Sequence, residues 1–455
     1  MLKYSMSLTI AGNMKVDAKF EYKIQNLGKT DRNYCMLRIS APEIEQSTKR
    51  KPLNIALVID KSGSMRGDKI TSVKKAVNHL VQNLSNEDIL SIIAYNQKVE
   101  VLRSAERVYN KHEIKSAVDS IFSSGRTNLS DAWEQGFKEI TENLSSKFVN
   151  RIILLTDGLA NEGLTDSKEL AKLGKEFRKK DVRTTTMGVG VEFNEELLKQ
   201  IADESSGNYY YMEDSEQIQG FFHEEIGELL NLVAQDIELV VDFKNGVELR
   251  RVLTDYTIEK TGENEYTFSL DDAYSGDEKV IMIRLDYPAV HQSDAYEVCT
   301  CTLKYQYLHA QESKIVKTFN ILRNVREKDE NTNQVPDDEV LSNVALFLAA
   351  DARRRSYHQS KTGKIREASD TLFISSAEIN GIAQSLEKMK SQYSSSIMHE
   401  SQSLEQDRTD ITTSPDKAQK NILFKSRSSF RKKTEYKKRS QEDENENSED
   451  NEGKI

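Results

Sequence analysis

Residues 53–70, LNIALVIDKSGSMRGDKI, run an unbroken apolar stretch into a carboxylate, Asp60, and then into two hydroxyls, Ser62 and Ser64. After Met65 the pattern turns helical. A strand with no polar face is a strand covered on both sides, the habit of a parallel sheet sandwiched by helices. Asp60 closes that strand, so it stands at the C-terminal edge of the sheet, where open α/β folds bind their ligands. Taken alone, DKSGS also suits ordinary turn and helix-cap chemistry, because Asp and Ser side chains satisfy orphan backbone N–H groups.

The same alternation continues outward. DILSIIAYN, VNRIILLTDG, VRTTTMGVG and NYYYMED read as strands, and helical periods lie between them. In the helix over residues 129–144, Leu129, Trp133, Phe137, Ile140 and Leu144 recur at three- and four-residue steps, which makes Trp133 a core anchor. Strands alternating with helices predict an α/β domain built on a mainly parallel sheet. Two of these segments carry further oxygens to the edge where Asp60 stands. SSGRTNLSDAW puts Thr127 in a loop just before a helix, and RIILLTDG puts Asp157 at the end of another buried strand. Two carboxylates and three hydroxyls, with no sulfur and no imidazole, form a hard-oxygen set suited to Mg²⁺ or Mn²⁺. Few direct protein ligands leave a coordination position for a carboxylate from outside.

Asp60-x-Ser62-x-Ser64 with Thr127 and Asp157 resembles the metal-ion-dependent adhesion site, or MIDAS, of von Willebrand factor type A (VWA) domains. The resemblance runs from about Pro52 to Leu232. Its wider motifs, GRTNLSDAW, RIILLTDGLANEG, TTTMGVG and GNYYYMED, look like the cytosolic and bacterial branch labelled calcium-activated chloride channel-like. The resemblance implies a Rossmann-like fold. It also implies a metal held by Ser62, Ser64 and Thr127 directly or nearly so, with Asp60 and Asp157 acting directly or through water. The implied role is a protein–protein contact in which an Asp or Glu of a protein partner completes the metal shell. Arg126 departs from the pattern, since the family often has Gly before the Thr.

The flanking segments read differently. Alternating polar and apolar residues before Ser40 predict three short strands, and the same alternation from Ile237 to about Leu322 predicts antiparallel β. Together they predict a β-sandwich with the α/β domain inserted in it. The expected boundaries are residues 1–50 for the N-terminal strands, 51–235 for the VWA domain and 236–325 for the remaining sandwich. A helical hairpin is expected over 336–395, with Arg353–Arg355 as a charged, solvated helix face. Residues 396–455 are poor in core formers and are expected to be a disordered tail. That tail has a basic stretch, Lys420 to Arg439, and an acidic one, Gln441 to Glu452.

Composition narrows the function. The 455 residues hold 64 Lys and Arg against 74 Asp and Glu, a net charge of −10, which argues against nucleic-acid binding by the folded part. Three cysteines, Cys35, Cys299 and Cys301, form neither a disulfide framework nor a Cys-rich zinc site, and fit reduced thiols in a cytoplasmic protein. No run approaches the ~18 apolar residues of a transmembrane segment. The first residues are too polar for a secretory signal. No phosphate-binding GxxxxGK[ST] loop and no GxSxG elbow occurs, and Ser62 replaces the second Asp that a haloacid-dehalogenase-type phosphatase would need. His79 and His223 read as helix-surface residues. The expectation is a binding module and not an enzyme. The alternatives are a structural scaffold with a fold-stabilising metal and an accessory subunit of an enzyme complex. Neither partner identity nor oligomeric state is legible.

Overall fold

The computed structural model describes residues 8–9, 14–44, 50–158, 163–164, 166–190, 192–292, 294–309, 314–327 and 334–428. The chain folds as two units. One spans Ser47–Leu232, and the other joins Met1–Gln46 to Val233–Ile455.

The first unit is built on a six-stranded sheet. Its order is Tyr209–Met212, Val182–Val189, Val149–Thr156, Leu53–Asp60, Ile89–Tyr95 and Val99–Arg107. The first five strands are parallel, and only the Val99–Arg107 edge strand runs antiparallel to its neighbour. Every residue of the first five strands is buried, as full-width apolar runs demand. The polar exception, VRTTTMGV, is buried because each threonine hydroxyl has a partner. Trp133 Nε1 donates to Thr184 Oγ1 at 3.0 Å, Thr185 Oγ1 donates to Glu225 Oε1, and Thr186 Oγ1 donates to the Leu198 carbonyl. Trp133 is fully buried and meets Phe177 edge-on. The Leu129–Glu142 helix packs hard on the sheet at Gly136, where an added Cβ would lie 2.7 Å from Val58 Cγ2. His79 and His223 are exposed on two helices, with their ring nitrogens 3.1 Å apart.

The second unit is a β-sandwich with helices. One sheet orders Leu8–Thr9, Lys15–Phe20, Asp31–Ser40, Glu278–Tyr287 and Glu248–Val252, all antiparallel. The other orders Thr257–Lys260, Glu265–Leu270, Leu232–Phe243, Ala295–Tyr307, Lys314–Arg326 and Ile24–Asn26. Inward side chains of both sheets share one core, with Leu37, Ile39 and Ile283 on one side and Leu239, Val241, Phe268 and Leu303 on the other. Cys299 and Cys301 point into it from one strand face, their sulfurs 3.7 Å apart. Where three N-terminal strands are expected, four form. Ile24–Asn26 pairs in parallel with the end of Lys314–Arg326, and three residues are too few to show a period. Residues 1–7 and 10–13, the rest of the expected first strand, lie outside the described residues.

The expected hairpin forms as Asp338–Lys361 and Ile365–Lys388, and among the described residues two further helices follow it, Ser394–Thr413 and Pro415–Ser428. The expectation of disorder from residue 396 is therefore corrected as far as Ser428. The third helix buries three apolar side chains seven residues apart, Ile397, Leu404 and Ile411, with Ser401 and Asp407 buried between them, and the fourth buries Ala418, Ile422 and Leu423. So thin a stripe scarcely raises local hydrophobicity, but it suffices against a ready-made apolar face. Arg353 is also corrected. It is buried, not solvated, and donates to Asp407 Oδ2 at 2.6 Å and to Glu400 Oε1 at 2.5 Å. Lys425 Nζ reaches the other Asp407 oxygen at 2.6 Å. The charged residues that resemble an unfolded tail are the ones that pair these helices. Met36, Val280 and Met282 of the sandwich pack on the apolar side of this bundle. Residues 429–455, with the acidic run and most of the basic one, lie outside the described residues.

Candidate metal centre

Asp60 is fully buried at the end of the central strand. Its Oδ1 accepts from the Ser62 N–H at 2.7 Å, and its Oδ2 accepts from Thr156 Oγ1 at 2.7 Å. The carboxylate thus pins the turn that follows it. Ser62 Oγ and Ser64 Oγ lie 3.0 Å apart across the short Gly63–Met65 turn. Ser64 Oγ then donates to Asp157 Oδ1 at 2.7 Å. Asp157 is also fully buried, just beyond the neighbouring strand Val149–Thr156.

Thr127 is carried in by a second loop. Ser124 N donates to the Lys61 carbonyl at 2.7 Å, and Gly63 N donates to the Gly125 carbonyl at 3.0 Å, so the two loops lie side by side. Gly125 has φ +84°, and a Cβ there would lie 1.8 Å from Gln97 Oε1, so the bend requires glycine. That Gln97 oxygen accepts from the Arg126 N–H at 2.9 Å. Asn128 caps the Leu129–Glu142 helix and holds Thr127 just ahead of it. A Cβ built on Gly158 would lie 3.5 Å from Thr127 Oγ1 and 3.9 Å from Ser64 Oγ. Gly158 therefore lies next to both hydroxyls, where a methyl group would touch each of them.

All five residues named from the sequence meet at this edge. Four form a continuous polar chain, and Thr127 lies near it, beside Gly158. Burial pushes the Asp60 carboxyl up to about 6, with a smaller push from Asp157, against the hydrogen bonds from Ser62 and Thr156. Two water-poor carboxylates with surrounding hydroxyls make a strongly cation-attracting, oxygen-only donor set. That chemistry fits a hard divalent ion. Among the described residues, no three His, Cys, Asp or Glu side chains cluster to hold a metal, at this edge or elsewhere.

Two residues sharpen the picture. Lys61, inside the DxSxS stretch, turns its ammonium to Glu100 and away from the oxygens. Lys69 does the opposite. It is the second residue of the Asp68–Asn83 helix, and its Nζ lies 2.5 Å from Asp157 Oδ2. Nothing in the spacing marks Lys69. Its sequence position reads as an ordinary helix-start lysine.

Residues 54–224 match the family described as von Willebrand factor type A domain. The chain carries a VWA domain. The chain is 31% identical over 192 residues to the uncharacterized protein YfbK of Escherichia coli K12, covering 42% of this chain and 33% of that protein. The uncharacterized protein sll0103 of Synechocystis is 26% identical over 282 residues, covering 60% of this chain and 66% of its own length. The chain thus spans less than two thirds of both curated relatives. A solved von Willebrand factor type A protein from Catenulispora acidiphila superposes with a TM-score of 0.59, covering 84% of this chain and 90% of that one. At 15% identity, that likeness shows the fold alone. Among the described residues no helix is long and apolar enough to cross a membrane.

Proposed function

We propose that the VWA domain is a metal-dependent protein-binding module. Asp60, Ser62, Ser64, Thr127 and Asp157 hold Mg²⁺ or Mn²⁺ as a MIDAS, and the ion captures an Asp or Glu side chain of a partner protein. VWA domains commonly mediate metal-dependent protein–protein contacts in this way. The observation that carries the reading is the chain of oxygens from Ser62 through Ser64 to Asp157, with Thr127 near it, beside Gly158.

The residues divide the work. Both Asp60 oxygens are engaged by Ser62 N and Thr156, so Asp60 holds the loop and contributes charge. The Ser62, Ser64 and Thr127 hydroxyls supply neutral donors, which leave more of the ion's charge for an incoming anion. When bound, the ion supplies an electrophilic position that a partner carboxylate completes. A second reading, a fold-stabilising metal with partner contacts elsewhere, draws on the complete burial of both carboxylates. The role is binding and not catalysis. A cytoplasmic setting is consistent with three free, buried cysteines. The narrower likeness to the calcium-activated chloride channel-like branch rests on the sequence motifs alone.

The test is affinity capture of partners by the full chain with Mg²⁺, with EDTA, and with Thr127→Ala and Asp60→Ala variants. Loss of the same partners in EDTA and in both variants supports the metal bridge. Equal recovery in all conditions sinks it. A melting shift with Mg²⁺ beside EDTA-resistant partners selects the second reading.

A further inference from the structure

We propose that Lys69 is a built-in counter-cation of the site, which a divalent ion must displace from Asp157. The inference rests on the metal reading above and concerns how that site is regulated. Asp157 has no exposed side-chain surface, and both its oxygens are claimed, Oδ1 by the Ser64 hydroxyl and Oδ2 by the Lys69 ammonium at 2.5 Å. The Lys69 side chain is 30% exposed. One end of it is therefore at the carboxylate and the rest has a path to water. The ammonium lies beside Gly190, whose φ of +77° is a backbone conformation that favours glycine. A Cβ on Gly190, just past the Val182–Val189 strand, would lie 3.7 Å from Lys69 Nζ.

The charges explain the arrangement. Two buried carboxylates, Asp60 and Asp157, stand at adjacent strand ends with little water to stabilise them. An unpaired buried anion is strongly unfavourable, so a cation close by stabilises the turn and the strand ends. Lys69 brings one positive charge against two negative ones. The remaining negative charge still attracts a divalent ion, but that ion and the ammonium repel each other at this range. An ion seated on the hydroxyls beside Asp157 expels Lys69. The long, flexible lysine stem lets the ammonium swing into solvent at low cost. Lys69 thus neutralises part of the site's negative charge and lowers metal affinity, so the site loads at a higher ion concentration than it would without the lysine. Lys61 does not share this role, because Glu100 holds it.

The test uses the full chain, stripped of metal and titrated with Mn²⁺ by calorimetry. Lys69→Met keeps the stem and removes the charge, and it should bind Mn²⁺ at least about tenfold more tightly than the wild type. It should also melt at a lower temperature in EDTA and gain more from added Mn²⁺. Lys69→Arg keeps the charge and should stay near wild-type affinity. Equal or weaker Mn²⁺ binding by Lys69→Met overturns the proposal. A second measurement needs no variant. In wild-type protein, acylation of the Lys69 amine, read by mass spectrometry, should rise on adding Mn²⁺, and unchanged labelling at saturating ion overturns the proposal. Wild-type protein that takes up no ion would instead overturn the metal reading itself, and this inference with it.

Discussion

Ser64 Oγ donates to Asp157 Oδ1 at 2.7 Å, tying the loop after one buried strand to the residue just beyond its neighbour. The residues are 93 positions apart, and only the parallel register of the two strands puts them side by side. This link makes the edge a site and not two separate turns.

Thr127→Ala follows directly. Removing this hydroxyl should change metal-free stability by about 1 kcal/mol or less. Wild-type protein should gain roughly 2.7 kcal/mol from Mg²⁺ at about 100 times its dissociation constant. The variant should lose most of that gain. Thermal melts with Mg²⁺ and with EDTA check both statements.

Gly158→Ala probes the space beside the hydroxyls. The added methyl would meet its nearest neighbours at 3.5 and 3.9 Å, ordinary contact distances, so the fold should persist. The methyl would nevertheless touch both Thr127 and Ser64. We expect a near wild-type melt in EDTA and a reduced Mn²⁺ affinity by titration. A large loss of metal-free stability would show that Gly158 is needed by the backbone and not by the site.

Asp88 sets a pH dependence in the same unit. Burial alone would push its carboxyl up, but the Arg50 fork and the N–H groups of Leu53 and Ser85 outweigh burial and hold it below the usual range. A depressed folded-state value means the stabilisation is complete above the unfolded carboxylate range and is lost as pH falls through the folded value. Asp88→Asn should therefore cost about 3 kcal/mol near pH 7, because it leaves Arg50 without its charge partner. The difference from wild type should shrink below about pH 4. Urea titrations at pH 7 and pH 3.5 would measure it.

Asp407 should hold the last helices. It accepts from Arg353 and from Lys425, bridging three helices of the bundle. Asp407→Ala leaves Arg353 buried with Glu400 as its remaining carboxylate partner. We expect a loss of about 3 kcal/mol, confined to the bundle. Hydrogen exchange should speed up in Ser394–Ser428 and stay unchanged in the VWA sheet. Uniformly fast exchange across residues 394–428 in the wild type would contradict the folded helices.

Local pattern made most of the α/β unit legible. LNIALVID and VNRIILLTDG carry their burial in their composition, and a strand buried on both faces allows few architectures. Asp60 and Asp157 were readable as edge residues for the same reason, since a residue that ends a buried strand has one place to be. Thr127 was readable only in company with them. The helices over residues 394–428 are not readable, because their apolar stripes are thin, with one residue in seven in the first of them, and their charges find partners only in the folded bundle.

The sequence by itself determined the strand ends, the oxygen-bearing residues at that sheet edge and their order along the chain. These are local properties: which residues are apolar, and where an apolar run stops. Tertiary structure alone decided that Ile24–Asn26 joins the second sheet, that Arg353 is buried on Asp407, and that Lys69 and not Lys61 reaches Asp157. Each of those depends on which distant segment comes to lie beside a side chain. A long, flexible, charged side chain takes its partner from that geometry and not from its own neighbours in sequence.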